Sequence, residues 1–200
     1  MYPGSPLTLP PDEELIRRFQ ASDESALELL VTSYWQRLAR FVEGILDEEG
    51  GADDVVQEAF IRLWMRRKEL RLEGSFRAFL YTLTRNAAID ERRRSGRRKT
   101  LWTRADPPAG QPSPLAGAEA SELQAVADAA IAALPPRRRE VFRLGRTEGL
   151  SYKEIAEVMG LSPQTVANQM SRALTELHEA LDQVFKNGSP GTSGRDPPPP

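Results

Sequence analysis

The sequence of 200 residues contains no cysteine and a single histidine, His178. No disulfide can staple this chain, no thiolate metal site can form, and one imidazole cannot build a metal centre by itself. A cysteine-free chain fits a reducing cytoplasm. No apolar run approaches the ~20 residues that a membrane-spanning helix needs. No secretory leader precedes the first predicted helix. Also missing are a Gly-rich phosphate loop, a metal-spaced cluster and a nucleophile beside a base. An enzyme therefore finds no support, and neither a cofactor nor a small-molecule substrate is expected. Net charge is nearly absent too: the formal value of −2 points to no polyanionic partner.

The distribution of charge does point to one. Residues 12–58 hold 13 acidic and 4 basic side chains, and residues 62–104 hold 14 basic and 4 acidic. Such segregation offers one face to a basic partner and another to phosphates.

The most informative stretch runs from Ser151 to Leu174, SYKEIAEVMGLSPQTVANQMSRAL. It predicts two short helices around a tight turn. The first spans roughly Tyr152 to Met159. Gly160 ends it, since a left-handed residue without Cβ closes a helix at no steric cost. Ser162 then caps the second helix, and Pro163 takes its first position, where a missing N–H costs nothing. Ile155, Ala156 and Met159 line the inside of the first helix. Val166, Met170, Leu174 and Leu177 give the second an apolar stripe. This is a helix-turn-helix pattern, whose second helix can lie in the major groove of DNA. Its outward residues are Gln164, Thr165, Ala167, Asn168, Ser171 and Arg172. Asn and Gln pair with adenine edges, and Arg with guanine or phosphate. The bland alternative is a helical hairpin in an all-α core with solvated polar residues.

Along the rest of the chain, residues 1–11 carry four prolines and a glycine and predict a disordered lead-in. Asp12 caps a short helix to Gln20. Asp23 caps a long core helix, through Leu27, Leu30, Val31, Tyr34, Leu38, Phe41, Val42 and Ile45, which stops at Gly50-Gly51. Val56, Ala59, Phe60 and Leu63 then form a buried stripe. Asp53, Asp54, Gln57, Glu58, Ile61 and Arg62 face outward. Acidic residues in a first turn favour the helix dipole, which accounts for Asp53 and Asp54 without a partner. It does not account for Gln57, Glu58, Ile61 and Arg62 on one exposed side.

A basic loop follows, with Arg66, Arg67, Lys68 and Arg71. Ser75 caps a helix from Phe76 to about Arg94, in which Phe79, Leu80, Leu83 and Ala87 face the core. Phe76 and Tyr81 sit near its start, beside the loop. Aromatic rings next to arginines can stack on unpaired bases while the cations hold the backbone. The alternative is that these rings complete the core. The helix runs into Arg92, Arg93, Arg94, Arg97, Arg98 and Lys99, a density suited to phosphate contact. Residues 100–121, rich in Pro, Ala, Gly and Ser, predict a flexible linker. A second domain, 122–186, begins with a helix from Leu123 to Ala133. Leu134-Pro135-Pro136 breaks it and restarts a helix at Arg137, anchored by Val141, Phe142 and Leu144. Residues 187–200 predict a disordered tail. The expected architecture is all-α, with a first domain over 12–99 and a second carrying the helix-turn-helix.

In their order, these motifs resemble the extracytoplasmic-function sigma factors, small members of the sigma-70 family of bacterial RNA polymerase. The segment DVVQEAFIRLW (54–64) is similar to the family's polymerase-binding helix. FRAFLY (76–81) with RNAAID (85–90) and the arginine run is similar to its promoter-melting helix. LPPRRREVF (134–142) and GLSYKEIA (149–156) are similar to its second DNA-binding domain.

The resemblance implies docking on the clamp of the largest polymerase subunit through Asp53, Asp54, Gln57, Glu58, Ile61 and Arg62. A further contact to the flap of the second-largest subunit is implied. Arg66, Arg67, Lys68, Arg71, Phe76, Phe79, Tyr81, Arg85, Asn86, Asp90, Arg93, Arg94, Arg97 and Arg98 would open the minus-ten element and hold its bases. Arg137, Arg138, Ser151, Tyr152, Ser162, Gln164, Thr165, Asn168, Gln169, Ser171 and Arg172 would read the minus-thirty-five element. The linker would thread the RNA exit path.

The family often carries tryptophan where Phe79 stands, and lysine or arginine where Ala167 and Gln169 stand. The wording NQMSRAL (168–174) is similar to a subgroup often held by membrane-bound anti-sigma proteins. This implies an anti-sigma partner and a cytoplasmic factor retained at the inner membrane face. A free helix-turn-helix repressor or activator is the competing class. It has no need of the exposed Gln57, Glu58 and Arg62 or of aromatics beside a basic loop.

Overall fold

The computed structural model describes residues 12–46, 50–70, 74–102 and 118–188, and among these the regular structure is helical throughout. The first domain comprises α1 (Asp12–Gln20), α2 (Glu24–Glu43), α3 (Ala52–Met65), a 3-10 turn at Arg67–Glu69, and α4 (Phe76–Trp102). The second comprises α5 (Ala118–Ala133), α6 (Pro136–Phe142), a π-helical turn at Arg143–Thr147, α7 (Tyr152–Met159) and α8 (Pro163–Gly188). The expected lead-in and tail fall outside the described residues, except for the last residues of α8.

Local chemistry sets the helix starts. Asp23 Oδ1 accepts from Ser25 N at 2.9 Å and opens α2. Leu30, Tyr34, Leu38, Phe41 and Val42 bury one stripe of that helix. The helix stops at Glu43, seven residues before the expected Gly50-Gly51. The N–H groups of Ile45 and Leu46 both turn back to the carbonyl of Val42, which drives Ile45 into the core. α3 buries Val56, Ala59, Phe60 and Leu63 as expected, with Ala52 and Val55 added. Trp35 stacks on Phe60, and Phe19 meets the edge of Trp64, tying α1, α2 and α3 together.

α4 is longer than expected, running past Arg94 to Trp102, because arginine and lysine are good helix formers. α5 likewise starts earlier, at Ala118, so helix reaches into both ends of the predicted linker.

The faces of α4 also differ from expectation. Phe76 and Tyr81 are buried, at 1% and 0% exposure, while Phe79, expected in the core, is only half-buried. The reason is that α4 is covered on two sides. α2 and α3 pack on one, and α7 of the second domain packs on the other. The two domains consequently share one continuous apolar core, from Leu15 and Phe19 through Leu80 to Leu144, Ile155 and Met170.

In the second domain, Pro136 opens α6 and Pro135 precedes it, as their sequence predicts. The π-helical turn that follows was not predicted. It holds Gly145 where an added Cβ would lie 2.5 Å from Met170 Cε, so the end of the Met170 side chain of α8 packs directly on this turn. α8 buries Val166, Met170, Ala173 and Leu177, whereas Leu174 is 39% exposed. The 4-3-4 spacing of that stripe follows the 3.6-residue turn better than the predicted one did. The Leu134–Ala173–Leu177 cluster then seats Ala130 and Ile131 of α5.

Met170 is 2% exposed and packs against Gly145. Met170→Ala is expected to cost about 2–5 kcal/mol, the range for a buried large-to-small change. Urea unfolding followed by circular dichroism measures it. A loss below ~1 kcal/mol would mean that the site collapses freely and that the close approach at Gly145 is unimportant.

Candidate nucleic-acid and polymerase interface

Three surfaces carry the predicted site residues. The first is the helix-turn-helix. Ser151 caps α7 with a complete capping box: Glu154 N donates to Ser151 Oγ at 3.3 Å, and Ser151 N donates to Glu154 Oε2 at 2.8 Å. Gly160 ends α7 in the left-handed region, at φ 63 and ψ 44, where only glycine is unstrained. Thr165 N donates to Ser162 Oγ at 3.1 Å and starts α8. Ile155, Ala156, Met159 and Val166 are buried between the helices.

Gln164, Asn168, Ser171 and Arg172 stand exposed along α8, with Thr165, Ala167 and Gln169 half-buried beside them. Gln164 Nε2 donates to Asn168 Oδ1 at 3.2 Å, which pre-orients two amides on one face. Ser151 and Tyr152 are exposed at the α7 end of this face, Tyr152 at 45%. Arg137 is exposed, but Arg138 is not available in the same way. It pairs with Glu176, and its Nε donates to Gln169 at 3.4 Å. Arg138 thus ties α6 to α8.

The second surface is α3. Asp53, Asp54, Gln57, Glu58 and Ile61 are exposed, and Arg62 is half-buried and paired with Glu58 at 2.7 Å. Asp53 accepts from Trp35 Nε1 at 2.8 Å, which fixes the start of the helix. Met65, at 74% exposure, extends the apolar patch begun by Ile61. Sequence reasoning passed over it, although it lies one turn beyond Ile61. Asp54, Glu58 and Arg62 line a cavity of about 480 Å3 together with Glu91 and Arg94 of α4, so the acidic and basic surfaces meet there.

The third surface is α4 with the turn before it. Asn86, Arg93 and Arg94 are exposed, Asp90 is half-buried, and Arg66 and Lys68 are exposed on the turn. Arg97 and Arg98 belong to the helix, and Arg71 lies outside the described residues. Arg67 departs from the expected phosphate-facing role. It lies over the Trp64 ring at 4.2 Å and donates to Trp64 O at 2.8 Å and Ser22 Oγ at 2.9 Å, so it clamps the core.

Two further members of the set, Tyr81 and Arg85, are turned toward the second domain. Tyr81 packs edge-on against Phe41 and donates from its hydroxyl to Glu148 Oε2 at 2.5 Å. Burial and that hydrogen bond together push its phenol pKa up. Arg37 Nε donates to the same Glu148 oxygen at 3.1 Å, and its Nη2 to Glu148 O at 2.7 Å. Arg85 forms a two-pronged pair with Glu140, at 2.5 and 3.2 Å. Arg77 donates to Glu154 at 2.9 and 3.3 Å and to Gly149 O at 3.1 Å, and Ser75 Oγ donates to Glu154 at 2.7 Å. Arg37, Arg77, Glu140, Glu148 and Glu154 carry no local sequence signal of this role. Their partners lie 55 to 111 residues away.

The helix-turn-helix is thus joined to a domain that exposes acidic residues on α3 and arginines along α4. The family model for sigma-70 region 2 matches residues 30–98, and that for sigma-70 region 4 matches residues 125–177. The chain is 30% identical over 181 residues to the ECF RNA polymerase sigma-E factor of Escherichia coli K12, covering 86% of this chain and 92% of that one. It is 29% identical over 190 residues to the RNA polymerase sigma-H factor of Pseudomonas aeruginosa, covering 90% and 98%. A co-crystal structure of the sigma factor RpoE with the anti-sigma factor NepR from Bartonella quintana shares the fold, with a TM-score of 0.63 at 23% identity over 78% of this chain and 96% of that one. The chain belongs to the sigma-70 family, and within it to the extracytoplasmic-function type. It is an initiation factor that binds core RNA polymerase, recognises the minus-ten and minus-thirty-five promoter elements and opens the DNA.

The carboxyl of Glu154 is held down at about 2. Burial works to raise it, but the hydrogen bonds from Arg77, Ser151 and Ser75 outweigh that effect. A depressed folded-state value stabilises the folded form fully above the ordinary 4.5 and loses that contribution as pH falls toward 2. A 13C NMR titration of the Glu154 carboxyl is therefore expected to show no protonation at pH 4.5. A midpoint at the ordinary value would mean that the contacts with Arg77 and Ser75 are not held in solution.

Proposed function

We propose how the residues of this sigma factor divide the work. The exposed face of α3, Asp53, Asp54, Gln57, Glu58, Ile61 and Arg62, with Met65 added, docks on the polymerase clamp. Residues of α4 and its preceding turn, Asn86, Asp90, Arg93 and Arg94 with Arg66 and Lys68, meet the minus-ten element. Phe76, Phe79, Tyr81 and Arg85 belong to the same helix. Of the three rings, Phe79 is the one that reaches the surface as the domains stand here. The exposed side of α8, Gln164, Asn168, Ser171 and Arg172, reads the minus-thirty-five duplex, with Ser151, Tyr152 and Arg137 on flanking phosphates. The linker joins the two domains through the polymerase. The factor acts by binding energy and carries out no covalent chemistry. Its place is the cytoplasm. An anti-sigma protein holds it in reserve at the inner membrane face, a proposal suggested by the NQMSRAL wording and by the anti-sigma complex of RpoE. Among the described residues no helix is long and apolar enough to cross a membrane.

The observation that carries the assignment is the two-sidedness of α8. Val166, Met170, Ala173 and Leu177 are buried, while its amides, Ser171 and Arg172 line the open side. Amide side chains can each make a two-point contact with adenine. In transcription with core enzyme on a genomic fragment library, Asn168→Ala is expected to relax one base position at a cost of about 1–3 kcal/mol, whereas Arg172→Ala weakens all sequences alike if it holds phosphate. Unchanged promoter preference in both variants would remove α8 as the reading helix.

The docking face has its own test. Glu58→Lys breaks only an exposed helical pair, worth about 0.3–0.5 kcal/mol, so the fold is expected to survive. Affinity for core enzyme is expected to fall about tenfold or more, since attraction turns into repulsion at a contact. Equal affinity with intact helicity would exclude this face.

A further inference from the structure

From the junction of α1 and α2, we infer that Gln20, Ser22 and Arg67 are positioning residues, which hold the basic turn 66–70 in register for the minus-ten element. None of the three has to touch DNA. The inference rests on the proposed role of Arg66 and Lys68 at that element and adds the device that sets where those cations stand.

The first observation is a strained serine. Among the described residues, Ser22 alone other than glycine has a positive φ, at 63°. A side chain crowds the backbone there, and glycine does not. The surrounding bonds are those of an ordinary helix end: Ser22 N donates to Phe19 O at 3.0 Å, and Asp23 N donates to Arg18 O at 3.1 Å. Glycine would close α1 in this way with less strain. What serine adds is an oxygen. Ser22 Oγ accepts from Arg67 Nε at 2.9 Å, across 45 residues of sequence. Strain of this kind persists where the side chain has a task that glycine cannot perform.

The second observation is that the end of α1 grips the basic turn at two points. Near its start, Arg67 lies over the Trp64 ring and donates to Trp64 O at 2.8 Å as well as to Ser22. Phe19 of α1 meets the edge of that same ring, which fixes the platform. At the other end of the turn, Gln20 Nε2 donates to Leu70 O at 2.7 Å, and the Leu70 side chain is buried. Between the two grips, Glu69 N donates to Arg66 O at 3.0 Å and closes the turn. Arg66 and Lys68 stand exposed on either side of the anchored Arg67. The run of three cations is thus divided into one that holds and two that are held.

Holding them matters for reading rather than for attraction. Cations near a polyanion attract it wherever they stand. Phosphate contacts do more: they fix the register in which other side chains read the bases. Such contacts need supporting groups that keep them to within about half an ångström. Gln20 and Ser22 carry no charge. Removing either one leaves the electrostatics of the surface intact and changes only where Arg66 and Lys68 are held.

The test uses the full chain with core polymerase, selecting from promoter fragments whose minus-ten element has been randomised. A mismatched base costs about 5- to 150-fold in binding. In Gln20→Ala and in Ser22→Gly, discrimination is expected to fall about fivefold or more at one or more positions of that element. Affinity for core enzyme and preference at the minus-thirty-five element are expected to stay as in the parent. A general loss of stability would not single out one promoter element. Ser22→Gly is the sharper variant, because its backbone relaxes while only the contact with Arg67 is lost. Ser22→Asn is the rescue. Asparagine tolerates the left-handed region and keeps a side-chain oxygen for Arg67, so it is expected to select as narrowly as the parent.

Selection as sharp as the parent's in both Gln20→Ala and Ser22→Gly overturns the inference, and so does a broadening that Ser22→Asn shares in full. Arg66→Ala combined with Lys68→Ala keeps the two readings apart. If this double variant broadens selection and the Gln20 and Ser22 variants do not, the positioning device fails while the role of the turn stands. If the double variant leaves selection sharp, the role of the turn fails and the inference falls with it.

Discussion

A carboxylate at 3% exposure can exist only if something pays for its lost water. Glu148 has the Tyr81 hydroxyl and the Arg37 guanidinium, both from the other domain. Removing one partner of a buried pair typically costs about 3–5 kcal/mol, because the remaining charge is stranded. Replacing such a pair with apolar groups is often neutral, so the bonds are weak evidence for net stability. Their value is directional. Together with the pairs at Glu140 and Glu154 they fix how α7 lies on α4, which apolar contact alone would leave loose. The buried Tyr81 belongs to the same registration, since its hydroxyl donates to Glu148.

What could be read from the sequence follows the range of the forces involved. The helix-turn-helix was legible because each of its determinants is local. Ser151 with Glu154, Gly160, and Ser162 with Pro163 act within three residues of one another. The outward face of α3 was legible for a similar reason, since one stripe of apolar residues faces a single layer. α4 was not legible in this way. Its apolar residues answer to two layers, and the second layer comes from residues about 70 positions later. Periodicity assumes one buried face, so it put Phe79 inside and left Phe76 and Tyr81 as candidates for exposure. Arg67 misled differently. Its place in a basic loop suggested phosphate, but Trp64, three residues earlier, supplies both a ring and a carbonyl for it.

The family assignment stood on ordered motifs, and those survive errors in single residues. No one motif had to be read correctly in three dimensions for the order to be informative. The residue roles are a different matter, because they depend on which atoms are free. Arg138 illustrates this. It belongs to the same RRR run as Arg137, yet Glu176 and Gln169 hold it against α8 while Arg137 stays exposed. Adjacent helical positions point about 100° apart, so neighbours in a charge run rarely share a role.

The segregation of charge along the chain takes on a second meaning in the fold. An acidic first stretch and a basic second one suggested two external partners. The structure also lets the basic helix find acid within the same chain. Arg77 and Arg85 lie on the side of α4 that faces α6 and α7, whereas Arg93 and Arg94 lie beyond the reach of the second domain and remain exposed. The cations of α4 are therefore divided by position along the helix. Those near its start pair with carboxylates of the second domain, while further along Arg94 pairs with Glu91 of its own helix and Arg93 stays exposed. Long-range attraction to DNA can persist through the exposed arginines while the first turns stay engaged.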